Sequence, residues 1–134
     1  MALDLTSFDN ALARLHEGMD IYAKDTSNTM IRDGLIQRFE FTYELAHKML
    51  KRALEAASPT PGAYDAMSFA ELIRSGNEQG LLRGDWPQWR KYRDMRARSS
   101  HTYDEKMALD VVAGIAQFLA DAVYLRDEMR RRHA

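Results

Sequence analysis

Arg96, His101 and Tyr103 stand close together in the stretch Met95-Arg96-Ala97-Arg98-Ser99-Ser100-His101-Thr102-Tyr103-Asp104-Glu105. Each could do chemistry. Arg96 and its neighbour Arg98 carry fixed positive charge and forked donors suited to phosphate. His101 can exchange a proton near neutral pH. Tyr103 offers a hydroxyl that could accept a transferred group once activated. A helix N-terminus in the same stretch would present free backbone N–H groups to an anion. Together these groups describe a site for a phosphate-containing partner. They also describe a capped helix junction in which Tyr103 packs and Arg96 pairs with a carboxylate, and residue types alone favour that plainer reading.

The three side chains can meet only if the stretch is not one helix. At 3.6 residues per turn Arg96 and Tyr103 share a face, while His101 and Tyr103 project in nearly opposite directions. Thr102 followed by Glu105 is a capping-box pattern, and Asp104 adds a carboxylate to the first turn. The sequence therefore predicts a break near Ser99–His101. Arg96 ends one helix, His101 precedes the next, and Tyr103 occupies that helix's first turn. This places Tyr103 at the mouth of a polar groove, within reach of His101 and an arginine.

The flanking elements read as helices. The first begins after Thr6, with Asp9 three residues on and an apolar stripe of Phe8, Leu12, Leu15, Met19 and Tyr22. After a polar loop, Met30 to about Ala57 forms the longest pattern, roughly 42 Å at 1.5 Å per residue. Ile31, Leu35, Phe39, Tyr43, Ala46, Leu50, Ala53 and Ala57 line its inner face. Its other face carries Gln37, Arg38, Glu40, Glu44 and Lys48; the like-charged Glu40 and Glu44 call for a nearby arginine. Ser58-Pro59-Thr60-Pro61-Gly62 is the clearest break. Ser68 with Glu71 starts a short helix, with Met67 and Leu72 as a hydrophobic staple. Asp85 caps another, along which Trp86, Trp89, Tyr92 and Met95 step by three. The last runs from Tyr103 to about Arg131, with Met107, Val111, Ile115, Leu119, Ala122, Leu125 and Met129 inward. Nothing alternates like a strand. The expected fold is all-α: an antiparallel up-down four-helix bundle with an additional short helix, forming a single domain over residues 1–134.

Composition bounds the function. With 134 residues, 46% of them hydrophobic, the chain can bury a core. Its formal net charge of -1 makes no bulk case for nucleic-acid binding. The absence of cysteine excludes disulfides and thiolate metal sites and is compatible with a reducing cytoplasm. No apolar run approaches a membrane span, and Met1-Ala2-Leu3-Asp4 does not read as a signal peptide. Glu44-Leu45-Ala46-His47 is half of a carboxylate-bundle metal site, but no second Glu-x-x-His step exists, so neither metal nor cofactor is expected. Phe41, Trp86 and Trp89 supply more large apolar surface than the core needs, which points to a homodimer interface.

Ile36-Gln37-Arg38-Phe39-Glu40-Phe41-Thr42-Tyr43-Glu44-Leu45-Ala46, with Ser100-His101-Thr102-Tyr103-Asp104-Glu105, resembles the nucleotidyltransferase substrate-binding protein family, a group within the HEPN superfamily. The resemblance covers roughly Leu5 to Glu128. It implies a homodimeric four-helix bundle and a partner, a small minimal-type nucleotidyltransferase encoded by a neighbouring gene. HepT-like toxins carry the pattern R-x4-H-x-Y, matched here by Arg96, His101 and Tyr103. The resemblance implies that Arg96 and His101 support RNA cleavage in a toxin, and that the partner silences it by adding AMP to Tyr103. Ala97 follows Arg96 where active HEPN ribonucleases usually have a polar residue, and His47 stands where the family usually has a large aromatic.

The leading expectation is thus a cytoplasmic binding module, the substrate-binding or partner subunit of a two-component nucleotidyltransferase system. Arg38, Glu40, Glu44, Arg96, Arg98, His101 and Tyr103 would face the partner or its nucleotide. The alternative is a metal-independent HEPN ribonuclease silenced at Tyr103, with Arg96 and His101 catalytic. A plain helical interaction protein is the third.

Overall fold

The structure is a computed structural model that describes residues 3–133; Met1 and Ala2, read above for a leader, and Ala134 lie outside the described residues. Five α-helices follow one another: α1 (Thr6–Lys24), α2 (Thr29–Ala56), α3 (Phe69–Glu78), α4 (Trp86–Arg98) and α5 (Glu105–His133). Short 3-10 turns at Pro61–Ala66 and Ser99–His101 interrupt the chain, and no strand occurs among the described residues. The long helices α1, α2 and α5 and the shorter α4 form the antiparallel bundle, and α3 is the additional helix. Phe8, Phe39, Trp89, Tyr92 and Phe118 are fully buried in one continuous core that draws on α1, α2, α4 and α5. Phe118 sits at its centre, edge-on to Phe39, Trp89 and Tyr92.

Local chemistry sets most of the boundaries. Asn28 caps α2 by accepting from Met30 and Ile31 N–H, and Asp85 caps α4 by accepting from Trp86 N–H. Ser68 Oγ accepts from Glu71 N–H and donates to the Glu71 carboxylate. Helix α3 closes with Leu81 N–H on Gly76 O and Gly80 N–H on Asn77 O, and Gly80 takes the positive φ of 77° that this closure needs.

Two expected helix starts are displaced. Helix α1 includes Thr6, whose N–H is met by the Asp4 carboxylate, and Asp9 turns away to Arg126 and Arg130 of α5. Helix α5 begins at Glu105 rather than Tyr103, because the Asp104 carboxylate accepts from Met107 N–H and Glu105 pairs with Arg32 instead. Thr102 is therefore not the cap, and Tyr103 lies in a turn ahead of the helix. Met107, expected inward, is exposed, and Ala108 takes the buried position. Ile31 is half-buried and Ala57 exposed beyond the helix end, while Arg32 and Ile36 face the core.

Of the three aromatics expected at a dimer surface, Trp89 is withdrawn into the core, while Phe41 and Trp86 stay half-buried. Trp86 lies against Phe69 and under the Arg93 guanidinium. Further unpartnered apolar surface lies on α5, where Leu109, Ala113, Ala116 and Ala120 are exposed beside half-buried Val112 and Val123. By length and composition alone α5 could cross a membrane (Glu105–Arg132), and 44% of its most apolar window is buried in the bundle.

Candidate functional site

The break between α4 and α5 arises at Ser99. Its hydroxyl donates to Arg96 O and accepts from Arg96 Nη1, which ends α4 in a 3-10 turn and buries Ser99. Asp104 N–H then donates to His101 O, turning the chain before α5. The reorienting junction predicted near Ser99–His101 is therefore present.

It separates the motif into two groups. Arg96 reaches back across α2, with Nη1 3.0 Å from Glu40 and Nη2 2.7 Å from Glu44. The Glu44 bond and both carboxylate charges raise its pKa against the cost of desolvation. This is the arginine that adjacent Glu40 and Glu44 require. Its donors are therefore satisfied by carboxylates, and phosphate would have to displace them.

The second group is His101 with Tyr103. The Tyr103 hydroxyl lies 3.1 Å from His101 Nδ1, and the rings meet edge to face at 81°. Tyr103 is 86% exposed. The phenol is thus hydrogen-bonded to an imidazole and otherwise open to solvent. It stands on a turn rather than in a groove, and its described bond is to His101, not to an arginine. Arg98 is exposed and free of ion pairs among the described residues. Arg38 is carried elsewhere: its Nη1 donates to Arg14 O at 2.7 Å and to Glu17 Oε1 at 3.1 Å, binding α2 to α1.

The Glu44–His47 step does not assemble a metal site. Glu44 is engaged by Arg96, and His47 packs on Phe69 with ring centres 4.3 Å apart. The imidazole occupies the aromatic position, and burial lowers its pKa. No cluster of three potential metal-ligating side chains occurs among the described residues.

Sequence reasoning missed two buried charges. Asp121 accepts a short hydrogen bond from the Tyr92 hydroxyl and one of 2.6 Å from Arg83 Nε, while Gln88 donates to the same Tyr92 oxygen at 2.8 Å. Burial and the Asp121 bond push the Tyr92 phenol well above its usual range. Arg32 is buried, 3.0 Å from Glu105, with its Nε lacking a hydrogen-bond partner. Both signals were in the sequence. Asp121 falls between Phe118 and Leu125 on the inward face of α5, and Arg32 precedes Leu35 and Ile36 on that of α2.

Comparison with known proteins fits this geometry. The family model described as "Nucleotidyltransferase substrate binding protein like" matches residues 3–131. A Haemophilus influenzae protein named "Probable ribonuclease HepT" is 39% identical over 114 residues, covering 85% of this chain and 77% of the relative. A solved structure from the same organism, described as revealing the fold of a substrate-binding domain of a nucleotidyltransferase, superimposes with a TM-score of 0.87 at 33% identity. It covers 95% of this chain and 99% of its own.

Proposed function

The chain belongs to the nucleotidyltransferase substrate-binding protein-like family, and on that premise we propose that it is the acceptor subunit of a two-component nucleotidyltransferase system, with Tyr103 as its acceptor. The observation that carries this reading is the exposed phenol hydrogen-bonded to His101 Nδ1. With the neutral imidazole as base, Nδ1 takes the phenolic proton while the oxygen attacks the α-phosphorus of ATP. A P–O bond forms to Tyr103, the bond to the leaving pyrophosphate breaks, and AMP remains on the tyrosine. Arg96 is a positioning residue in this scheme, because it locks α4 to α2 just ahead of the turn. Arg98, two residues on from Arg96 in the motif, has donors free for the nucleotide's phosphates. The catalytic partner is a minimal nucleotidyltransferase encoded by a neighbouring gene, acting in the cytoplasm.

Incubation with that enzyme, ATP and magnesium ion should add the mass of one AMP, and Tyr103→Phe should abolish the addition. Absence of added mass, or its survival in Tyr103→Phe, overturns the reading.

The relative named as a probable ribonuclease favours a second reading, in which His101 and Arg96 cleave RNA and modification of Tyr103 silences them. Ala97, exposed beside Arg96, supplies no polar group to that chemistry. Cleavage of RNA in the presence of a chelator, lost in His101→Ala, would establish this second activity.

A second copy is proposed to cover the apolar outer face of α5, which continues into the groove of Leu12, His16, Leu119 and Val123 between α1 and α5. Ala116→Arg should convert a dimer to a monomer in light scattering. A wild-type monomer at micromolar concentration would refute the dimer.

A further inference from the structure

Arg32 places a charge where an apolar side chain would serve the core. It is buried near the start of α2, with Nη1 3.0 Å from Glu105. Its Nε has no hydrogen-bond partner among the described residues, and the Asp33 carboxylate stands 3.7 Å away, beyond hydrogen-bond reach. Burial takes from this N–H the water that would otherwise satisfy it, so a methionine of similar length would suit the position at least as well. Bonding to Glu105 is the main influence that raises the guanidinium's pKa, against a burial that lowers it. Glu105 is the first residue of α5, two positions after Tyr103, and its side chain is 69% exposed. A pair so open at one end adds little to stability. What it does is join α2 to the end of the turn that carries the acceptor.

That turn makes few bonds of its own. Ser100, His101, Tyr103 and Asp104 are exposed, and the backbone closes through Asp104 N–H on His101 O at 3.0 Å. The turn is held instead from outside, at both ends, and both holds are on α2. Ahead of it Arg96 pairs with Glu40 and Glu44; behind it Glu105 pairs with Arg32. The polarity reverses between them, cation onto anions at one end and anion onto cation at the other, so the two ends cannot exchange partners. Arg32 and Glu40 are eight residues apart, about 12 Å along one helix.

We propose that Arg32 is a positioning residue for the acceptor: through Glu105 it fixes the far end of the turn, and with it the placement of the Tyr103 hydroxyl against His101 Nδ1. The inference rests on the acceptor reading and deepens it. Proton transfer to Nδ1 requires the two groups in hydrogen-bond contact, as they are at 3.1 Å, when the nucleotide arrives. A turn released at one end spends less of its time in that arrangement. Arg32 touches neither the nucleotide nor the reacting atoms, so it governs the rate of transfer and not the partner's hold on this chain.

The test uses the full chain as substrate of the nucleotidyltransferase with ATP and magnesium ion, and follows exchange of the Asp104 amide in the same variants without the enzyme. R32M removes the buried charge together with its orphaned N–H, and should melt at or above the wild-type temperature. E105Q removes the charge from the exposed side. Each should lower kcat for Tyr103 modification about tenfold, with KM for this chain little changed. Each should also quicken Asp104 exchange about fivefold or more. The double variant R32M/E105Q should be no slower than R32M, because the two residues act as one tie. D65N breaks the Lys51–Asp65 pair toward the other end of α2, where Asp65 is 68% exposed, and should match wild type in both measurements. The proposal is overturned if R32M, folded and stable, is modified at the wild-type kcat. It is also overturned if the effects of R32M and E105Q multiply in the double variant, or if D65N slows modification as much. Failure of wild type to be modified sinks the acceptor reading instead. Asp104 exchange then still decides the tie, and exchange unchanged in R32M and E105Q overturns it.

Discussion

Two tyrosines in this protein each hydrogen-bond a titratable partner, and they serve opposite ends. Tyr92 is buried and donates a hydrogen bond to the Asp121 carboxylate, while Arg83 and Gln88 complete the network. Tyr103 is exposed and bonds to His101 alone. Around Tyr92 desolvation makes the neutral phenol far more stable than the phenolate, so the group joins α4 to α5 and cannot react. Around Tyr103 the oxygen is open to solvent, as the proposed acceptor role requires. The same side chain is locked into structure at one place and left open for the proposed chemistry at the other.

Removing Asp121 tests the buried half most severely. Asp121→Ala leaves the Tyr92 hydroxyl and Arg83 without their acceptor, and should cost about 3 kcal/mol in urea unfolding. A loss below about 1 kcal/mol would show that the network is solvated after all. Arg96→Ala comes next. It frees Glu40 and Glu44 to repel each other and removes the Nη1 bond to Ser99 Oγ while the bond to the residue 96 carbonyl stays, with an expected cost of about 1 kcal/mol for a group about one-third exposed. The initial rate of Tyr103 modification should fall as well, because α4 loses its tie to α2 just ahead of the turn that presents the phenol. A rate unchanged in the folded variant would remove Arg96 from the positioning role.

His47 gives a smaller, pH-dependent effect. Burial on Phe69 disfavours its charged form, so its folded pKa lies below 6.5 and the unfolded chain binds the proton more readily. The contribution is complete above pH 6.5 and is lost as pH falls below it. His47→Phe should flatten the stability profile below about pH 6.5; an unchanged profile would assign that dependence to another group. Smallest of all, Tyr103→Phe should leave stability within about 0.5 kcal/mol of wild type, even as it abolishes modification.

The sequence's capping patterns show what was legible and what was not. At the expected helix starts the serine- or threonine-led boxes are Thr6/Asp9, Ser68/Glu71 and Thr102/Glu105. The Ser68 box forms, and Glu71 makes no ion pair among the described residues. In the other two the acidic member is drawn away, Asp9 to Arg126 and Arg130, Glu105 to Arg32. A local rule holds where no distant charge competes, and the arginines that compete are many residues away in the chain. Helix number, order and the junction before α5 needed only periodicity and turn residues, so they could be read directly. The neutralisation of Arg96 was half legible: the repelling pair Glu40 and Glu44 asked for an arginine without saying which. The diversion of Arg38 to Glu17 depended on how α1 lies against α2, which no local pattern encodes.

The bond between Asp9 and Arg126, 117 positions apart, has a consequence for how the molecule opens. Helices at the two ends of a chain ordinarily fray independently, each from its own terminus. Here the first turn of α1 and the last turns of α5 hold each other, so neither end can loosen without releasing its counterpart. Amide hydrogen exchange at these two remote segments should therefore proceed as one event, and Asp9→Ala should split it into two.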